Sequence, residues 1–389
     1  MQLARASSVV AVLAATAGQA NAQLTIRLNA PRNTPADAVV HIAGSFNGWN
    51  PAASDYRLTR SGEQYVITLP ADVRGPIEFK FTLGSWDRVE TTATGNDIDN
   101  RTFTIPADVA THDVTVIAWR TGPRTPRKST MSRSVTVIPS FDAPELGGSR
   151  RVWVYLPPDY ATSNKRYPVL YMHDGQNVFD DATSFAGEWG VDETLDSLHA
   201  AGDRGIIVIA VDHGGQQRIN EYSPWPMRFG AGKGEAYVDF LVKTLKPWAD
   251  KTYRTLADRT HTGVAGSSMG GLISFYAALK HPDVFSKAGI FSPAFWIAPK
   301  AYEMAANAPA PRRDTRFFIL SGALEVAAGE QPGIYKRDQE RMVETLMARG
   351  YHTGKTLTAS IAPDGKHSEW FWRREFAAAY QWLFNNATK

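Results

Sequence analysis

The stretch Gly266-Ser267-Ser268-Met269-Gly270 holds a serine between two glycines, each two residues away. Such a serine suits a tight turn between a strand and a helix, where a side chain at either glycine would collide with neighbouring backbone. The flanks agree: a β-rich run, 261–266, precedes it, and an amphipathic helical segment, 272–279, follows and is stopped by Pro282. The chemistry on offer is nucleophilic attack on an acyl carbon, with the helix N-terminus turning free N–H groups toward the developing oxyanion. Three fixed positions carry little weight by themselves. The strand-turn-helix setting and the single occurrence of the motif make Ser268 the candidate nucleophile.

A serine hydroxyl needs a base to attack an ester at neutral pH. His367 is the candidate, in the loop Pro363-Asp-Gly-Lys-His367-Ser-Glu-Trp370 between the last predicted strand and a terminal helix over 371–384. His281, at a helix end, and His352, in an Arg-Gly-Tyr-His turn, suit the role less. A carboxylate must then hold the imidazole in the right tautomer. Glu325 lies in the loop after a predicted strand at 317–321, with Glu330 and Asp364 as competitors. Two N–H donors complete the set: Met269, next to the nucleophile, and Gln176, beside Gly175 in the loop after an earlier strand. Large aromatics in the same loops, Trp189, Trp225 and Trp296 with Phe295 and Trp370, could wall a cleft for an aromatic acyl group or a sugar. His173-Asp174 and Asp212-His213 lack the spacing of metal ligands, so neither a metal nor a cofactor is expected.

These residues require a scaffold, and 389 residues are too many for one ordinary core. Short alternating runs at 23–28, 38–43, 65–69, 77–83, 101–105 and 114–119 predict a small antiparallel β-sandwich over 23–120. Gly122, Pro123, Pro126 and three basic residues, Arg124, Arg127 and Lys128, mark an exposed linker at 121–132. From 133 to 389 strands alternate with helices. Candidate strands lie at 135–138, 151–156, 169–173, 206–212, 261–266, 288–291, 317–321 and 355–361, which predicts a doubly wound, mostly parallel sheet. The apolar run 206–211 suits a central strand covered on both faces.

Composition narrows the class. Charged residues are 21% and hydrophobic ones 43%, the balance of a soluble globular protein. The net charge of +3 gives no basic field for nucleic acid. Residues 1–22 combine Arg5, an apolar run and Ala20-Asn21-Ala22, the pattern of a secretory signal peptide. Nothing later is long and apolar enough to span a bilayer, and with no cysteine there is no lipid-attachment site. The expected location is the periplasm or the medium. Oligomeric state is open.

Residues from about 133 to 386 resemble the α/β-hydrolase group that includes enterochelin esterases, esterase D, feruloyl and acetyl-xylan esterases and mycolyltransferases. The landmarks are Arg151-Val-Trp-Val-Tyr-Leu-Pro-Pro158, Tyr167-Pro-Val-Leu-Tyr-Met-His-Asp-Gly-Gln-Asn177, Asn220-Glu-Tyr-Ser-Pro224, Gly266-Ser-Ser-Met-Gly-Gly271 and Phe291-Ser-Pro-Ala-Phe-Trp296. The resemblance implies ester hydrolysis through an acyl-enzyme, with Ser268 and His367 at the nucleophile and base positions and Gly322-Ala-Leu-Glu325 fitting the group's acid loop. The first domain resembles starch- and glycogen-binding modules, immunoglobulin-like sandwiches, through Gly44-Ser-Phe-Asn-Gly-Trp49 and Phe79-Lys-Phe-Thr-Leu-Gly-Ser-Trp86. That likeness implies polysaccharide contact by Trp49, Lys80, Trp86 and Asn100. Carbohydrate-linked feruloyl or acetyl esters are the expected substrates. A siderophore esterase or acyltransferase, and a non-catalytic carbohydrate-binding protein, are the alternatives.

Overall fold

A computed structural model describes residues 23–385 apart from 99, 107, 123–126, 228–229 and 328–332, so the export-like segment and Glu330 lie outside the described residues. The first part of the chain forms β1 (Leu24–Asn29), β2 (His41–Gly44), β3 (Thr59–Ser61), β4 (Gln64–Thr68), β5 (Gly75–Thr82), β6 (Glu90–Thr91), β7 (Arg101–Ile105), β8 (Ala110–Thr115) and β9 (Ala118–Trp119). They assemble as sheets β3-β4-β1-β8, β2-β5-β7 and β6-β9. Leu24, Ile26 and Leu28 alternate inward on β1 and share a core with Phe79 and Phe81 of β5, as a period of two requires.

Two expectations change here. The β1–β8 pair is parallel, so this unit is not purely antiparallel. The run expected at 114–119 is split, because the chain leaves β1 after Thr115 and joins β6 at Ala118, with Ile117 exposed between them.

The second part carries β10 (Val135–Ala143), β11 (Gly148–Tyr155), β12 (Val169–His173), β13 (Ile207–Val211), β14 (Thr262–Ser267), β15 (Lys287–Phe291), β16 (Arg316–Gly322) and β17 (Leu357–Ala362). Its helices are α1 (Val191–Ala200), α2 (Arg218–Glu221), α3 (Gly234–Asp239), α4 (Lys246–Thr252), α5 (Met269–Lys280), α6 (Lys300–Asn307), α7 (Ile334–Ala348) and α8 (Glu369–Tyr380). The strands form one sheet in the order β10-β11-β13-β12-β14-β15-β16-β17. The pairs β10–β11 and β11–β13 are antiparallel and the remaining neighbours, from β13 to β17, are parallel. Alternate residues feed two cores: Val169 and Tyr171 face one with Leu272 and Phe275 of α5, while Leu170 and Met172 face the other with Phe371 and Phe376 of α8. Burial on both faces explains the unbroken apolar strands.

β10 runs past its predicted end at 138. A bulge between Ile138 and Phe141 takes up Pro139 on this edge strand, where a missing N–H is tolerated. The linker also departs from expectation. Although largely exposed, residues 127–134 are pinned to the second part: Ser129 Oγ and the Thr130 N–H donate to Asp180, Thr130 Oγ1 to Glu188, and the Ser132 N–H to Asp192 at 2.7 Å. A run of polar residues with no period gave no sign of these partners.

Candidate active site

Ser268 caps the C-terminal end of β14 and the start of α5, at φ 58° and ψ −121°. A non-glycine residue in that region is strained, and such strain collects at functional turns. Its N–H is held by the Phe291 carbonyl of β15 at 2.9 Å, and its own carbonyl accepts from Leu272 and Ala294. Of the two motif glycines only Gly266 is crowded: a Cβ there would lie 2.9 Å from the His173 ring and 3.0 Å from the Gly270 backbone. One on Gly270 would meet Asp174 and His173 at an ordinary 3.4 Å, contrary to the expectation that both positions exclude a side chain. Met269 heads α5, so its N–H has no acceptor in its own helix.

The candidate acid and base follow neighbouring strands, β16 and β17. His367 Nδ1 lies 3.0 Å from Glu325 Oε2. Glu325 is buried, and its other oxygen accepts from Ser292 Oγ and from the Gly322 N–H, both at 2.6 Å. Ser292 Oγ in turn accepts the Trp372 Nε1 hydrogen at 2.8 Å. A carboxylate held on both oxygens fixes the imidazole tautomer and leaves Nε2 for a nucleophile. Tyr335 packs tilted on the His367 ring at 5.0 Å, and Trp372 meets it edge-on at 5.1 Å. Among the described residues Ser268 and His367 share no hydrogen bond in this resting geometry. Such bonds commonly tighten only when substrate arrives.

Of the competing acids, Asp364 is exposed and paired with Arg374. The other histidines stand elsewhere: His281 caps the end of α5, and His352 makes its backbone contacts in the turn before β17.

Gln176 is buried in a short turn, 175–177, after β12. Asp174, just before it, is left-handed at φ 56° and takes a bidentate pair from Arg218 at 2.6 and 2.7 Å. Burial alone would raise the Asp174 carboxyl, but the Arg218 guanidinium outweighs it and holds the group below its ordinary value. His173 is bonded through Nδ1 to Tyr237 and is pushed down by burial to about 3. Asp212 accepts from Arg151 and Trp153, and His213 Nδ1 accepts the Gly215 N–H. His173, Asp174, Asp212 and His213 are each bonded to different partners. A further carboxyl, Glu369 in the first turn of α8, is buried, accepts from Asn177 Nδ2 at 3.4 Å and is raised by that burial to about 7.

The aromatic wall needs correction. Trp189 is 4% exposed and packed among Phe291, Trp372 and Phe376, so its ring belongs to the core. Trp225 is half-buried edge-on against Tyr276, and Trp296 half-buried against Tyr335. Residue type alone gave no way to separate core from rim. In the first domain Trp49 and Trp86 come together, ring centroids 6.3 Å apart, while Asn100 donates to Glu78 and Lys80 sits on β5 opposite Ala43. Ser292, Tyr335, Arg218 and Glu369 were not singled out from sequence. Ser292, directly after Phe291, and Glu369, two residues after His367, lay within stretches read for their neighbours, whereas Tyr335 and Arg218 carried no such signal.

The strand order and the strand-turn-helix elbow at Ser268 define an α/β-hydrolase fold. The family described as "Putative esterase" matches residues 143–383. An endo-1,4-beta-xylanase/feruloyl esterase of Xylanibacter ruminicola is 26% identical over 252 residues, 63% of this chain and 31% of that protein. An alpha-amylase of Niallia circulans is 43% identical over 98 residues, 25% of this chain and 8% of the amylase. The enterobactin esterase of Shigella flexneri superposes with a TM-score of 0.55 at 16% identity, over 93% of this chain and 92% of its own. The chain belongs to that esterase family and is a carboxylic ester hydrolase.

Proposed function

We propose that the protein is an exported serine esterase that uses Ser268, His367 and Glu325 on carbohydrate-linked esters, of the feruloyl or acetyl kind. The observation that carries the catalytic reading is the His367–Glu325 pair at 3.0 Å, on strand ends beside a serine held at positive φ. In this reading Ser268 Oγ attacks the ester carbon and its proton passes to His367 Nε2. The carbonyl electrons move onto the oxygen, held by the Met269 and Gln176 N–H groups. Collapse expels the alcohol, which takes the proton from His367, and water then repeats the sequence on the acyl-enzyme. Serine, imidazole and water account for every atom transferred, so no cofactor is required.

The carbohydrate part rests on the first domain. Its similarity to a 98-residue stretch of an amylase, its sandwich-like core and its paired Trp49 and Trp86 support a sugar-binding module of immunoglobulin-like type. Residues 1–22 support export, and no described helix is long and apolar enough to cross a membrane. A second reading, the cyclic ester of a catecholate siderophore, is favoured by an alignment with the enterobactin esterase that spans both parts of the chain. Comparing kcat/KM on methyl ferulate, an acetylated xylo-oligosaccharide and a catecholate triester decides between them. Turnover of either of the first two above the triester supports the proposal, and turnover of the triester alone overturns its substrate class.

A further inference from the structure

Gln176 and Asn177 are held by the loop that follows them. Thr183 Oγ1 donates to the Gln176 carbonyl at 2.7 Å, the Phe185 N–H to Asn177 Oδ1 at 3.0 Å, and the Trp189 N–H to the Asn177 carbonyl at 2.8 Å. The turn that offers the second oxyanion N–H therefore takes its position from residues 180–189.

That loop closes in turn on a side chain outside it. Thr130 Oγ1, in the segment between the two domains, accepts the Asp181 N–H at 2.8 Å and donates to Glu188 Oε2 at 2.9 Å. Asp181 and Glu188 stand at opposite ends of the stretch that carries Thr183 and Phe185, so one hydroxyl pins both ends. Asp180 adds to the grip, its carboxylate accepting from Ser129 Oγ, the Thr130 N–H and the Ala182 N–H. Glu188 is 5% exposed, and its other oxygen accepts from Arg373 of α8 at 3.2 Å. A buried carboxylate that loses a donor keeps its full desolvation penalty. The first domain bears on the same loop. Arg127 bonds Asp181 at 2.9 Å and Ser184 Oγ at 3.1 Å on one side and Asp97 of the first domain at 3.3 Å on the other, while Trp86 meets Phe185 edge-on at 5.5 Å.

We infer that residues 127–132 are a strap that sets the oxyanion turn, with Thr130 as its positioning residue. This rests on the reading of Gln176 as an oxyanion donor and adds what holds that donor in place. The Thr130 hydroxyl acts through Asp181 and Glu188 on Thr183, and through Thr183 on the Gln176 peptide. Donors to a developing oxyanion work by standing in position before the reaction, so a small tilt of that peptide weakens transition-state binding and leaves ground-state binding alone. The segment between the domains is then part of what shapes the active site and not a mere spacer.

The test uses the full chain as wild type, Thr130→Val, Thr130→Ser and Ser134→Ala. Valine keeps the shape of threonine and removes both hydrogen bonds, and because Thr130 is exposed the exchange leaves the core untouched. Serine keeps the bonds, and Ser134 Oγ, which bonds Asp196 of α1 at 3.4 Å, lies outside the network. Two quantities are read: kcat and KM on p-nitrophenyl acetate, and the inhibition constant of an aryl trifluoromethyl ketone. With the ketone, Ser268 Oγ bonds to the carbonyl carbon, its proton passes to His367, and the carbonyl electron pair moves onto an oxygen held in the oxyanion hole. Removing a donor outright costs about 10²–10³, so in Thr130→Val a displaced one is expected to lower kcat and raise the inhibition constant roughly tenfold each, with KM changed by less than about twofold. Thr130→Ser restores both, and Ser134→Ala matches the wild type. The inhibition constant does not depend on the fraction of folded molecules, so it separates positioning from lost protein. An unchanged inhibition constant in Thr130→Val overturns the strap whatever happens to kcat. Equal losses in Thr130→Val and Thr130→Ser also overturn it, since the hydroxyl is then not responsible. A wild type that hydrolyses the ester yet forms no adduct with the ketone overturns the oxyanion reading, and the strap with it.

Discussion

Ser292 Oγ donates a 2.6 Å hydrogen bond to Glu325 Oε1 from the end of β15, one strand away from the loop that carries the acid. The same hydroxyl accepts from Trp372 on α8. One small side chain thus ties the carboxylate to the strand beside it and to the helix that follows the histidine.

Ser292→Ala removes both bonds. Hydrogen bonds to a charged group contribute roughly 1.5–3 kcal/mol, so kcat/KM on p-nitrophenyl acetate is expected to fall about 10-fold to 100-fold. Steady-state kinetics beside a thermal melt checks this. An unchanged kcat/KM would mean that the Gly322 N–H and His367 hold Glu325 without help.

The loops of Glu325 and His367 also touch through their backbones. The Leu324 N–H donates to the Gly365 carbonyl at 3.0 Å, and a Cβ on Gly322 would overlap that same peptide. Gly322→Ala should therefore cost about 1–3 kcal/mol or more and lower activity beyond its loss of folded protein. Gly148→Ala, with nothing within 4 Å of its added carbon, is the control and should be near neutral. Denaturant midpoints of the two variants give the comparison.

Glu369 makes stability pH-dependent in a defined direction. Its folded value of about 7 lies above the ordinary 4.5, so the native state holds the proton more tightly. The contribution is fully present below about pH 4.5 and is lost as pH rises toward and through 7. Glu369→Gln keeps the shape without the charge. It should gain on the order of 2–3 kcal/mol over the wild type at pH 8 and none at pH 4.5, as read from urea unfolding at the two values. Parallel curves for the two proteins would exclude a burdened carboxyl.

How far the sequence reached depended on whether a residue's role is set along the chain or across it. The parallel strands could be read because burial on both faces leaves unbroken apolar runs such as 207–211. Glu325 and His367 could be placed because each follows a strand end, and their 3.0 Å approach agrees with that placement. Ser292 could not, since its importance comes from a neighbouring strand 33 residues away. Trp189 was misplaced for a related reason: a tryptophan in a loop suits a wall or a core equally, and only the packing of Phe291, Trp372 and Phe376 decides. The facing of Trp86 toward Phe185 was likewise invisible, because a linker sequence does not state what it is pinned to.

The most direct test of the catalytic reading is covalent labelling of the nucleophile. Wild type and Ser268→Ala are treated with a fluorophosphonate, and the intact mass and the labelled peptide are measured. One adduct per chain on the peptide containing Ser268, absent from the variant and much slower to form in His367→Ala, is the predicted result. An adduct that persists in Ser268→Ala, or a wild type that hydrolyses esters yet never takes the label, would contradict it.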